Sequence, residues 1–332
     1  MTPEAPFRSS VLRSPRGREL AYLLGLAAVG VVLPFLVYPI FAMKILCYAL
    51  FAAAYNLLFG YVGLLAFGHA AFFGSAAYVA AHGVTAMGLT PELAIGLGAA
   101  VAGLLGLVIG WLAIKRQGLY FAMITLALAQ IVYFYAVQAP WTMGDDGIQT
   151  GPRGKLIGLF SLSDPATLYA MTLAIFLAGF AVLNRAVNSP FGQVLVAIRE
   201  NEPRAISLGY DTMRFKLQAF VISAAVSGLA GATKAIVFQL ATLGDVYFAT
   251  SGEVLLMVLI GGVGTVLGPI VGAAVLIAMF NALATTGAWV QVIQGALFVG
   301  CVLFLRKGVV GTAADLVRRS RRLFQTAGGG PP

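Results

Sequence analysis

Between Arg185 and Lys216 the chain carries five basic residues (Arg185, Arg199, Arg204, Arg214, Lys216) and three acidic ones (Glu200, Glu202, Asp211), with long apolar runs on both sides. The centre of this island reads Ala197-Ile-Arg-Glu-Asn-Glu-Pro-Arg-Ala-Ile-Ser-Leu-Gly209-Tyr. Charges of both signs with apolar neighbours suit the docking of a soluble protein. Complementary charges set the orientation, and buried apolar side chains supply affinity. The residue types predict a short helix over Arg199–Ser207, closed by Gly209, because glycine takes the left-handed backbone at a helix end without steric cost. In that reading Glu202 and Arg204 orient the docked partner, while Ile206 and Leu208 anchor it.

Other chemistry is poorly provided for. There is no Gly-x-x-x-x-Gly-Lys-[Ser/Thr] loop to cradle a nucleotide phosphate, no Gly-x-Ser-x-Gly, and no His-Glu-x-x-His. The two cysteines, Cys47 and Cys301, sit in apolar runs without a spaced partner, and His69 and His82 alone cannot build a metal site. Neither an enzyme nor a bound cofactor or metal is expected. His69, between Gly68 and Ala70, has two readings: a neutral imidazole satisfied by backbone or water, or a donor or acceptor facing a solute pathway, since polar groups at membrane depth tend to line cavities. Lys234 lies about 18 residues into its apolar run, roughly 27 Å of helix, which predicts snorkelling at the outer interface. The carboxylates Asp145, Asp146, Asp245 and Glu253 all fall at expected outer ends. None stands at mid-depth, which argues against a carrier driven by an ion gradient.

The elements that must hold these groups follow from composition. Of 332 residues, 60% are hydrophobic and 10% charged, against about a quarter charged in a soluble domain. Lipid must solvate most of this surface. The net charge of +9 is no nucleic-acid signal, because the basic residues flank apolar runs. Arg8, Arg13, Arg16 and Arg18 precede the first run; Arg306, Lys307, Arg318, Arg319, Arg321 and Arg322 follow the last. Basic flanks report orientation and put both termini in the cytoplasm. The first run, 20–43, is too long for a cleavable leader core and reads as a retained helix. Later charge-poor runs cover 45–91, 93–114, 117–144, 166–184, 217–243 and 254–305. The run 45–91 must hold two helices, and the 52 residues between Glu253 and Arg306 must fold back at least once. The expectation is an all-α polytopic membrane protein of eight to ten crossings, some short or broken. A cytoplasmic segment 1–19 and a basic cytoplasmic tail 308–332 flank a membrane domain over 20–307. The island 185–216 then lies inside, and Asp145 and Asp146 lie outside, where they can receive a partner.

Two glycine-rich stretches interrupt the apolar runs. One runs from Gly60 through Gly63, Gly68 and His69 to Gly74; the other runs through Gly261, Gly262, Gly264, Gly268, Pro269 and Gly272. Small residues let helices approach closely. They also permit broken helices, whose freed backbone groups must line a cavity or be buried in protein. The second reading makes Gly63, Gly68, His69, Gly261, Gly262, Gly264 and Pro269 candidates for a translocation pathway.

With no energy source of its own and a charged platform, the chain reads as a multi-span membrane protein driven by an attached motor. At this point it resembles the LivM-type permeases of branched-chain amino-acid ABC importers. The carrying segments are Tyr55–Gly74, Gly118-Leu-Tyr-Phe-Ala-Met-Ile-Thr-Leu-Ala, Gly144-Asp-Asp-Gly-Ile, Pro190-Phe-Gly-Gln-Val-Leu-Val-Ala-Ile-Arg-Glu-Asn-Glu-Pro-Arg-Ala and Leu259-Ile-Gly-Gly-Val-Gly-Thr-Val-Leu-Gly-Pro. The resemblance implies a second homologous permease subunit, two cytoplasmic ATPase subunits, an extracytoplasmic solute-binding protein and a bacterial inner membrane. It implies that Glu202, Ala205 and Gly209 match a Glu-x-x-Ala-x-x-x-Gly coupling loop, flanked by Arg199, Glu200 and Arg204. Pro203 stands where the general motif has Ala. The segments are less specific for the solute than for the family, and a urea or other small polar solute permease is the alternative; an ion-coupled carrier is the alternative of a different class.

Overall fold

The computed structural model describes residues 15–151, 153–156 and 160–283, with seven positions between 292 and 308 beyond. Arg8, Arg13, Cys301, Arg306, Lys307, Arg318, Arg319, Arg321 and Arg322 lie outside the described residues. Within them the chain forms α1 (Pro15–Leu36), α2 (Pro39–Asn56), α3 (His69–Thr85), α4 (Pro91–Ala113), α5 (Leu119–Gln138), α6 (Pro165–Asn188), α7 (Pro190–Glu200), α8 (Glu202–Ser207), α9 (Thr212–Phe238), α10 (Leu243–Val246), α11 (Phe248–Gly261) and α12 (Gly268–Leu283). A π-helical segment, Leu57–Val62, prolongs α2. The protein is an all-α polytopic membrane protein. Pro39–Val62, α4, α5, α6 and α9 are each long and apolar enough to cross a bilayer, and Ala21–Leu36, α11 and α12 are shorter apolar helices.

Helix starts are written locally. Pro39, Pro91, Pro165 and Pro190 occupy first-turn positions, where a missing N–H costs nothing. Asp164 caps α6 by accepting the Thr167 N–H at 3.3 Å. The turn before Pro39 corrects one expected boundary. The first helix ends at Leu36, and Lys44 lies inside α2 rather than between two helices. A proline start signal outweighs one lysine near a helix end. The two helices expected within 45–91 are the body of α2 and α3.

Helix α9 is the hub, packed on α2, α3, α4 and α6. Small residues set these contacts: a Cβ on Gly231 would stand 1.9 Å from the Phe73 carbonyl oxygen, and one on Gly228 would stand 2.2 Å from Ala102 Cβ. Such approach lets dispersion and interhelical hydrogen bonds replace the hydrophobic drive that lipid removes.

The bundle has two distinct ends. Lys115, Arg116 and Gln117 join α4 to α5 at the end that carries α7 and α8, where Gln117 Nε2 donates to Glu202 Oε2 at 2.8 Å. At the other end, the strand Ile148–Gln149 after α5 pairs antiparallel with Leu240–Ala241 after α9.

Candidate functional site: interrupted helices beneath a charged platform

Both glycine stretches break regular helix. After Val62 the chain leaves the π segment at Gly63, whose φ is +81°, runs irregularly through 64–68, and resumes as α3 at His69. Helix α11 ends at Gly261, residues 262–267 are irregular, and α12 starts at Gly268 with Pro269 in its first turn. The chain folds back there, as the long charge-free run requires. The two breaks are seated on each other. A Cβ on Gly60 would stand 2.7 Å from the Gly264 nitrogen. Asn56 fastens them from the end of α2: its Oδ1 accepts the Gly264 N–H and its Nδ2 donates to the Thr265 carbonyl, each at 2.9 Å.

Backbone groups freed inside a membrane must find partners in the protein. Here neighbouring helices each contribute a polar side chain. Thr125 of α5 accepts the Phe67 N–H at 3.3 Å, and Ser251 of α11 accepts the Ala70 N–H of the first turn of α3 at 2.8 Å. Thr125 and Ser251 are fully buried. Ser223 of α9 donates its one proton to the Ala54 carbonyl and lies 2.8 Å from His69 Nε2, so Nε2 carries the imidazole proton and donates to Ser223. Ser223 stands eleven residues past Thr212, about 16 Å along α9. Helix α3 therefore starts near mid-depth, and the irregular segment covers the other half of that span.

His69 is fully buried. Its ring lies between those of Phe51, Tyr55, Phe72 and Phe220, with centroids 5.0–6.4 Å away. Gly63 and Gly264 sit at the platform end of the breaks and Gly68 at the mid-depth end. Asn56, Thr125, Ser223, Ser251 and Thr265 complete the site and escaped the sequence reading. Their only signal was a polar side chain within a charge-poor run.

The platform differs from the single helix expected over Arg199–Ser207. Asn201 adopts an extended conformation and splits it into α7 and α8, and its side chain caps α8 by accepting the Arg204 N–H at 3.0 Å. Pro203 lies in the first turn of α8, and Gly209, with φ +88°, ends it. Glu202 is already engaged: it pairs with Lys216 of α9 at 2.6 Å and accepts from Gln117. It ties the platform to the bundle instead of facing outward. Ala205 is buried, while Glu200 and Arg204 are exposed and Ile206 and Leu208 are 55% and 69% exposed. Arg199 is also exposed overall, but its Nη1 donates to the Gly60 carbonyl.

At the opposite end Asp145 and Asp146 occupy an exposed single turn, Gly144–Asp146. Gly147, φ +67°, folds back onto the Ala241 carbonyl and starts the strand pair. Lys234 does not snorkel. Its Nζ lies 2.9 and 2.7 Å from the two carboxylate oxygens of Asp245, and the two side chains are only 12% and 7% exposed. An apolar cavity of about 340 Å³ opens between α3, α4 and α5, with Tyr78, Leu105, Ile131, Tyr135 and Trp141 in its wall and no charged group.

The family described as "Branched-chain amino acid transport system / permease component" matches residues 38–302. The chain is 28% identical over 319 residues to the high-affinity branched-chain amino acid transport system permease protein LivM of Salmonella typhimurium, over 88% of this chain and 75% of that protein. It is 29% identical over 322 residues to LivM of Escherichia coli, with the same coverage. It is 32% identical over 107 residues to a probable branched-chain amino acid transport permease protein LivM of Methanocaldococcus jannaschii, covering 30% of each chain. No solved structure matches. A match over this length, with both helix breaks and the platform inside it, means that the chain belongs to the family of branched-chain amino acid transport system permease components.

Proposed function

We propose that this chain is a permease subunit of an ATP-driven importer for branched-chain amino acids in a bacterial inner membrane. It works by alternating access with a second homologous permease, two cytoplasmic ATPase subunits and an extracytoplasmic binding protein. The observation that carries this reading is the pair of exposed apolar side chains, Ile206 and Leu208, on a helix that Glu202 and Lys216 fix to the bundle. A rigid platform with an uncovered apolar tip and charged flanks suits a groove on a soluble motor. The LivM names of the relatives support the solute class. The platform end holds Lys115, Arg116, Arg185, Arg199, Arg204, Arg214 and Lys216. The positive-inside tendency supports a cytoplasmic placement of that end, the side to which the basic flanks assign 1–19 and 308–332 around the domain 20–307. The breaks through Gly63, Gly68, Gly261, Gly262, Gly264 and Pro269 border the route, and the enclosure of His69 supports a packing role for it. The cavity wall carries hydroxyls of Ser75, Tyr78, Tyr135 and Thr142 but no charged group to pair with an ammonium or a carboxylate, in keeping with a route completed by the second permease. The chain itself needs no ATPase site.

Two experiments test this. The double variant Ile206→Ser, Leu208→Ser removes the tip without touching the bundle. Burying such a side chain is worth about 1.5–3 kcal/mol, so retention of the ATPase subunits on the purified permease should fall roughly tenfold or more with an unchanged thermal midpoint. Undiminished retention would overturn the docking assignment. For orientation, Asp146→Cys should react with an impermeant thiol reagent added outside intact cells, in a background where buried Cys47 is inert and Cys301 is replaced. Labelling confined to inverted vesicles would reverse the topology.

A further inference from the structure

Arg199 sits in the last turn of α7, the helix that leads into the platform. A basic residue there was expected to face the motor. The residue is exposed overall, yet its guanidinium reaches the Gly60 carbonyl of the first break and lies beside Gly264 of the second. The guanidinium donates to the Gly60 carbonyl, within the π segment that ends α2. The last carbonyls of any helix lack intrahelical donors, and a helix C-terminus carries partial negative charge. The N–H groups of Gly63 and Leu64 both turn to the Leu58 carbonyl, so the chain following the segment leaves the Gly60 carbonyl to Arg199.

The fit extends along the whole side chain. A Cβ on Gly63 would stand 3.0 Å from Arg199 Cγ, so the stem lies in a seat that only glycine leaves open. A Cβ on Gly264 would stand 3.2 Å from the Gly60 carbonyl oxygen and 3.4 Å from Arg199 Nη1, so the second break closes over the same guanidinium. Asn56 binds the second break to α2 immediately above. Helix α7 is itself held by buried Leu195 and Ile198, and α8 by the Glu202–Lys216 pair. Arg199 therefore joins the platform helix to the π segment at the Gly60 carbonyl, with the second break beside the same guanidinium.

We infer that Arg199 is the positioning residue through which the platform opens and closes the two interrupted helices, acting on the Gly60 carbonyl rather than on the motor. This rests on the functional reading above. When α7 and α8 follow the motor, the guanidinium leaves or regains the Gly60 carbonyl, and the 60–68 and 262–267 segments rearrange together because Asn56 joins them.

The test uses the complete complex of permease pair, ATPase subunits and binding protein in proteoliposomes, with leucine as solute. Leucine taken up per ATP hydrolysed should fall at least tenfold in Arg199→Ala, with subunit assembly and ATPase turnover retained. Arg199→Lys keeps the charge but not the planar fork, and should recover less than half of the ratio. Gly63→Ala fills the stem seat and leaves the guanidinium free to reach any motor residue. It should lower the ratio in the same way; a wild-type ratio in Gly63→Ala beside a lowered one in Arg199→Ala would assign Arg199 to the motor and overturn the inference. Hydrogen exchange supplies a readout independent of activity. Amides of 60–68 and 262–267 should exchange at least tenfold faster in Arg199→Ala than in the parent complex, while those of α4 stay unchanged. Unaltered exchange in both segments would overturn the inference. A parent complex that moves no leucine would count against the functional reading alone, and the exchange measurement would still decide the role of Arg199.

Discussion

Gly264→Val is expected to abolish uptake and to lower the unfolding midpoint of the subunit sharply. The residue has φ +74°, a region where a β-branched side chain is strained by about 1–2 kcal/mol. That term alone is tolerable. The larger cost comes from the surroundings, because the new Cβ would lie 3.2 Å from the Gly60 carbonyl oxygen and 3.4 Å from Arg199 Nη1 before either valine methyl is placed. Overpacking of this kind adds about 1–3 kcal/mol. The contact it forces apart is the seat between the two breaks, so the Asn56 hydrogen bonds go with it. Each buried polar group left unpaired there costs about another 1–3 kcal/mol. Gly209→Ala is the control. It has a similar φ of +88° but no atom within 4 Å of the new Cβ, so only the backbone term, about 1 kcal/mol, applies. Thermal unfolding of the detergent-solubilised subunit separates the two. Wild-type stability and uptake in Gly264→Val would show that the breaks do not rely on their mutual seat.

Lys234→Met is expected to destabilise the subunit by about 3–5 kcal/mol, the cost of leaving a buried charge without its partner. Asp245 would keep its two hydrogen bonds from Thr242, from the backbone N–H and from Oγ1, each at 3.2 Å. These are long bonds for a carboxylate with a 7% exposed side chain. The damage should fall where α10 meets α9 and the Gly74 face of α3, with the unfolding midpoint dropping and the strand pair at 148–149 exchanging faster. Adding Asp245→Asn should restore most of the loss, because the amide oxygen can still accept from Thr242 while the buried charge is gone. Replacing a buried ion pair as a unit is far cheaper than breaking it. If Lys234→Met unfolds at the parent temperature, the pair is a solvated contact and the burial argument fails.

Much of the architecture was open to local reading. Apolar runs between charges marked the spans, and two glycine clusters marked where regular helix would stop; the prolines that start α4, α6 and α7 are a local signal of the same kind that the charge pattern overshadowed. These features depend on residues within a turn or two of each other, and short-range sterics and lipid partition act at that range. The position of Lys44 misled because charge was weighed above the Tyr38-Pro39 start signal. The platform helix was found but not its split, since an extended Asn201 gains its cap only from the Arg204 N–H three residues on.

What the sequence by itself determined is the class of protein and the places where its helices break; what only the tertiary structure decided is which polar groups meet. Asn56 and Gly264 are 208 residues apart, and Ala70 and Ser251 are 181 apart. No periodicity connects them. Lys234 read as a lone lysine near an interface because its partner lies on the next helical element, beyond a turn whose direction the spacing leaves open. Arg199 read as an outward charge because a helix end with unpaired carbonyls, 139 residues earlier in the chain, attracts it only once α7 has packed beneath the π segment. In a bilayer every freed N–H and C=O must be answered from within the protein, and that demand is met by side chains whose neighbours are chosen by packing, not by order along the chain.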